Sequence, residues 1–172
     1  MEILEDAQSL LAFGELALCE VEPALDSYGT LLAANRYFDN RLRSQFWKRA
    51  DTGERKAALM EATRIIDKLN YLGCKADSEQ TRQFPRYGDS VVPVAIEQAC
   101  YEVSLKLLEG YDPEMEQDGL ADAGHSFGGV RATYDRSFLP EHLIAGIPSS
   151  NAWMNLKPYL RDPNSFEICR VN

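Results

Sequence analysis

Apolar residues recur at helical intervals over three stretches of the chain and lose that spacing elsewhere. After Thr30, the residues Leu31, Ala34, Phe38 and Leu42 fall three or four apart with Arg36, Asn40 and Arg43 on other faces. That spacing predicts one helix ending near Phe46 and Trp47. Asp51-Thr52-Gly53-Glu54 places a side-chain acceptor at an N-cap and a glutamate three residues on, a reciprocal capping box. A second helix therefore starts there, burying Leu59, Ala62, Ile66 and Leu69 while Arg55, Lys56, Glu61, Arg64 and Lys68 face water. A third begins at Pro93, whose missing amide proton is no loss in a first turn. It carries Ile96, Cys100, Val103 and Leu107 on one face and stops at Gly110. Three amphipathic stripes, each needing a partner face, pack most economically as a small antiparallel bundle. The expected fold class is mainly α.

Outside these stretches the pattern changes character. Residues 1–26 mix Leu10-Leu11-Ala12-Phe13 and Leu16-Ala17-Leu18 with Gly14 and Pro23, which suggests a short helix of open role. Between Gly73 and Pro93 the turn formers Asp77, Ser78, Pro85, Gly88, Asp89 and Ser90 gather into a long loop. Phe84, Pro85 and Tyr87 give it apolar anchors, so an ordered loop pinned to the bundle is expected. Past Gly110, acids and glycines make a stretch that reads as a linker. A strand follows at Val130–Tyr134, then a short helix over 151–160 capped by Ser150 or Asn151, and a terminal strand at Phe166–Val171. The expected division is thus an N-terminal segment, 1–26, a helical core, 27–110, and a linker with an extended docking arm, 111–172. Phe138, Leu139, Trp153, Tyr159, Phe166, Ile168 and Val171 are the arm's apolar anchors, expected to contact a partner.

Charge narrows the function classes. With 27 Asp plus Glu against 18 Lys plus Arg the formal charge is -9 and the pI near 4.7, whereas phosphate-binding domains are usually strongly basic. Positive charge gathers only at Arg41, Arg43, Lys48 and Arg49 and at Arg82 and Arg86. Because Arg43 to Arg49 are interleaved with Phe46 and Trp47, a protein interface fits as well as a nucleic-acid one, and Arg43, Trp47, Lys48, Arg82 and Arg86 are candidates for a subunit contact or a DNA-facing surface. Tyr37, Phe38, Phe46, Trp47 and Tyr71 could stack on bases, but at helical spacing beside Leu31 and Leu42 they fit a core better.

Evidence for chemistry is sparse. Cys19, Cys74, Cys100 and Cys169 form no CxxC pair and lie outside ligand spacing of His125 and His142, so no metal site and no cofactor are expected. Gly-His-Ser-Phe-Gly-Gly at 124–129 lacks both the GxSxG spacing and the lysine of a phosphate loop, and reads as a hinge. Glu97 with Glu102, five apart, share no helical face, and Asp112 with Glu114 sit in a solvated acidic run. No enzyme activity is expected. The acidic opening Met1-Glu2-Ile3-Leu4-Glu5-Asp6 and the lack of a long apolar run predict a cytosolic, reduced protein with free thiols and no membrane partner.

The order of several words resembles a known group. Ser27-Tyr28, Leu31-Leu32-Ala33-Ala34 before Tyr37-Phe38, Trp47, the run Ala57 to Asp67, Gly73, Phe84-Pro85-Arg86 and the run Pro93 to Glu102 are similar to tailed-bacteriophage head-tail connector, or neck adaptor, proteins. Some of these are also labelled putative DnaT-like single-stranded-DNA-binding proteins. The resemblance covers residues 27–110. It implies a helical bundle in a dodecameric ring, a homo-oligomer in the virion neck whose arm docks on the portal protein and which meets a downstream neck or tail protein. DNA would pass through the ring without specific binding, and the chain would be made in the host cytoplasm. The DnaT-like label implies instead a single-stranded-DNA-binding replication protein, and a salt titration against single-stranded DNA separates the two.

Overall fold

A computed structural model describes residues 26–121, 124–127, 129–133 and 139–162. It is mainly helical. Helix α1 spans Leu31–Asp39, with the Thr30 hydroxyl accepting from the Ala33 amide at 3.1 Å. The single helix expected through Trp47 is in fact two, because the chain breaks at Asn40–Ser44 and resumes as α2, Gln45–Arg49. Packing explains the break. In one continuous helix Phe38 and Trp47, nine residues apart, would point to opposite sides. The turn instead brings their rings to 4.6 Å, and lets the Trp47 indole donate to Asn35 Oδ1 at 3.0 Å. Ser44 holds the corner by donating to the carbonyls of Phe38 and Arg41, each at 3.0 Å. Leu42, expected on the buried stripe, is 89% exposed as a result.

Helix α3, Thr52–Asp67, starts on the expected capping box: Glu54 N donates to Asp51 Oδ1 at 2.7 Å and Asp51 N to Glu54 Oε2 at 2.8 Å. Helix α4, Val94–Leu108, runs antiparallel to it, as shown by Thr63 beside Cys100 at 3.4 Å and the Ser104 hydroxyl donating to the Ala58 carbonyl at 3.3 Å. Leu59, Ala62, Ile66, Ile96 and Val103 are fully buried between them. Gly110, at φ +89°, ends α4 in the left-handed conformation that suits glycine.

Helix α4 is more deeply enclosed than a single stripe allows. Residues 99–105 are all buried, Glu102 included. The cause lies downstream: α6, Glu141–Ile144, leads into α7, Ser150–Leu156, which packs along α4 and puts Ile147, Ala152 and Leu156 into the same core. The cap of α7 is Ser149, accepting from Ala152 N at 3.3 Å, not Ser150 or Asn151. A 3-10 turn, Lys157–Tyr159, follows, and Leu160 bridges to Tyr71. Residues 141–160 are therefore part of the body, not an arm held out for a partner. The expected linker also differs: Pro113–Ala121 form α5, with the Asp112 carboxylate accepting from the Glu114 and Met115 amides at 2.9 and 3.4 Å. The presumed hinge at 124–129 contributes β1, Gly124–Phe127, paired antiparallel to β2, Val130–Thr133.

The long loop is ordered as expected. Phe84 is buried with its ring edge-on to Tyr71 at 4.7 Å, Tyr159 at 5.8 Å and Tyr28 at 6.0 Å. The Tyr28 hydroxyl donates to Asp67 and accepts from the Gln83 and Phe84 amides, each at 3.1 Å. Cys100 is a buried free cysteine, whereas Cys74 is disulfide-bonded, contrary to the expectation of free thiols.

Burial pushes the Cys100 thiol up to about 11 and raises the hydroxyls of Tyr28, Tyr71 and Tyr101. The folded chain thus holds these protons to higher pH than the unfolded chain does. The stability they contribute is complete below the unfolded values, and is lost as pH rises through the folded ones. The thermal midpoint should fall progressively above about pH 9. Melts from neutral to pH ~11 check this, and a level midpoint over that range contradicts it.

Candidate nucleic-acid interface

The turn between α1 and α2 is where positive charge and an exposed aromatic ring meet. Because Trp47 points inward to reach Phe38, its neighbours Phe46 and Lys48 point outward on this short helix, with Arg49 also exposed at its end. Phe46 is 47% exposed, unusual for an aromatic side chain, and the exposed Leu42 lies four residues before it in sequence. Arg43 is exposed and held at φ +62°, a left-handed conformation that costs a residue with a Cβ about 1–2 kcal/mol. Such strain is kept where surrounding structure imposes it, often at functional sites. Arg43, Lys48 and Arg49 have no side-chain ion pair among the described residues.

The neighbouring cations are committed to the fold. Arg41 pairs with buried Glu102 and donates to the Tyr37 hydroxyl at 2.9 Å, and that hydroxyl donates to Glu102 in turn. Glu102 is therefore a structural counter-charge to Arg41. Arg55 spans the corner by donating to the Trp47 carbonyl at 2.9 Å and the Lys48 carbonyl at 3.1 Å.

Of the five residues expected on a subunit or DNA-facing surface, Arg43 and Lys48 are brought together here. The other three are not. Trp47 is 2% exposed and fills the core. Arg82 pairs with Asp26 and lies 3.9 Å from Asp67, its guanidinium over the Tyr28 ring. Arg86 is buried, donating to the carbonyls of Leu72 at 2.7 Å, Gln83 at 3.2 Å, Tyr71 at 3.3 Å and Gly73. Burial lowers its proton affinity below the ordinary arginine value. Phe38 and Tyr71 are core, as their spacing suggested, while Phe46 departs from that reading. Phe46 stands one residue, about 100° around the helix, from Trp47, and with Trp47 turned into the core it is left facing water.

The expected docking anchors are also redistributed. Trp153 and Tyr159 pack against the core, and Leu139 is half-buried. Phe138, Phe166, Ile168 and Val171 lie outside the described residues. His142 Nδ1 sits 2.9 Å from the Ile147 carbonyl, and the His125 backbone pairs with Ala132. Among the described residues no cluster of His, Cys, Asp or Glu could hold a metal ion, and no helix is long and apolar enough to cross a membrane.

Residues 19–160 match the model of a family described as putative DnaT-like ssDNA binding protein. No curated protein and no solved structure matches the chain. The match corrects the resemblance to head-tail connectors. The words that carried it, in residues 27–110, all lie inside the matched span, and the family holding them is described by DNA binding, not by a place in a virion neck. With 19–160 of its 172 residues matched, the chain belongs to the putative DnaT-like ssDNA binding protein family.

Proposed function

We propose that this chain is a non-catalytic binder of single-stranded DNA, and that the α1–α2 corner is its contact surface. One observation carries the reading: Phe46 stands exposed among three cations, Arg43, Lys48 and Arg49, that no carboxylate among the described residues neutralises. An aromatic face accepts any unstacked base, and flanking cations follow the phosphates on either side, which together make a sequence-tolerant single-strand site. A base-paired strand keeps its bases stacked inside the duplex, so the same corner discriminates against double-stranded DNA.

Net charge of -9 is no obstacle once its distribution is considered. Residues 30–68 contain nine Lys or Arg against five Asp or Glu, while residues 109–122 contain six acids and no base. At an ionic strength near 0.15 M the Debye length is about 8 Å, so exposed charges farther apart than that are largely screened from one another. Three free cations support modest affinity, with Kd around micromolar at low salt and log Kd changing with log salt at a slope of about 2. Fluorescence anisotropy with a labelled oligothymidylate tests this. Phe46→Ala should weaken binding roughly 5- to 150-fold, the range for losing one stacked base. Affinity that ignores both salt and Phe46 would show the corner is not the site.

A further inference from the structure

The basic corner has a counterpart of opposite charge on the same chain. Helix α5 exposes Glu114, Glu116 and Asp118 behind the capping Asp112, and none of the four has an ion pair among the described residues. In their midst Met115 is 73% exposed. The two surfaces are opposite in sign and alike in the order of charged and apolar residues along the sequence. Phe46 has an arginine three residues to either side, Arg43 and Arg49, and Met115 has an aspartate three residues to either side, Asp112 and Asp118. A thioether against an aromatic ring is a favourable contact in its own right.

We propose that α5 of a second copy of this chain docks on the α1–α2 corner, Met115 against Phe46 and its carboxylates against Arg43, Lys48 and Arg49. This rests on the same corner as the DNA-binding reading and adds to it that copies of the protein and single-stranded DNA compete for one surface. An acidic helix presents spaced negative charge with an apolar centre, much as a strand presents phosphates flanking a base. The contact is heterologous, since the two faces differ, so each copy can both give α5 and receive one. The association is held by surface charge and is therefore sensitive to salt.

Sedimentation velocity of the full chain without DNA tests it. The wild type should associate with rising concentration at low salt, and dissociate as salt is raised toward ~0.5 M, where the Debye length is only a few ångströms. Two variants make the test specific: Arg43→Glu/Lys48→Glu/Arg49→Glu, and Glu114→Lys/Glu116→Lys/Asp118→Lys. Each alone confronts like charges and should remain monomeric, with association weakened at least tenfold. An equimolar mixture restores opposite charges at both contacts and should associate again, which misfolded variants could not do. A wild type that stays monomeric at low salt, single variants that associate like wild type, or a mixture that does not recover would each overturn the proposal. Association that follows this pattern in a protein with no affinity for oligothymidylate would retain the contact and remove only the DNA reading.

Discussion

Replacing Arg43, Lys48 and Arg49 together with glutamate should lower affinity for single-stranded DNA on the order of 100-fold or more at low salt, and flatten the salt dependence by about two units of slope. All three side chains are exposed and none holds an ion pair among the described residues, so circular dichroism and the thermal midpoint should change little. Arg43→Gly sharpens the point. Glycine relieves the strained φ of +62°, so stability should rise by up to about 1 kcal/mol while DNA affinity falls. Opposite signs for stability and binding identify a residue kept for its contacts with something outside the fold. If the glycine variant binds as tightly as wild type, Arg43 is not part of the surface.

The largest loss of stability is expected at a different arginine. Arg86→Ala removes a guanidinium that satisfies carbonyls of Tyr71, Leu72, Gly73 and Gln83, leaving buried acceptors unpaired. Each such bond from a charged donor contributes about 1.5–3 kcal/mol and part is recovered by water, so a net cost of about 3–4 kcal/mol is expected. For a chain of this size that lowers the thermal midpoint by roughly 10 °C. Arg86→Lys should recover little, because one ammonium cannot reach carbonyls arranged around a planar fork. DNA affinity of the folded variant should be unchanged. Arg86 sits beyond the far end of α3, whose 16 residues put about 24 Å between it and the corner. A weakened DNA affinity with a normal melting curve would reverse the roles assigned to Arg86 and Arg43.

These two arginines look alike in the sequence. Both fall in the short segments where cations gather and both stand near aromatic residues, so both entered the candidate surface. What separates them is the direction of the chain around each. Arg86 faces inward because the loop from Tyr71 to Pro85 folds back on the ends of α3 and α4, with Phe84 seated among Tyr28, Tyr71 and Tyr159. Arg43 faces outward because the corner that turns Trp47 onto Phe38 leaves it on the convex side. The break in the first helix was not legible from periodicity, since Leu42 continues the stripe in sequence. The competing demand, Trp47 against Phe38 and Asn35, depends on contacts between residues nine and twelve apart.

Local rules sufficed where a signal is local. The capping box at Asp51 and Glu54, the stop at Gly110 and the stripes of α3 and α4 are properties of a few consecutive residues, and they alone determined a helical body with an antiparallel central pair. Tertiary structure decided what those signals could not. It buried Glu102 opposite Arg41 and folded residues 141–160 onto α4, and at the corner it turned Phe46 out as it turned Trp47 in. The physical reason is the same each time: which side of a residue meets water is set by elements distant in sequence, and a lone amphipathic pattern does not say which elements will come to cover it.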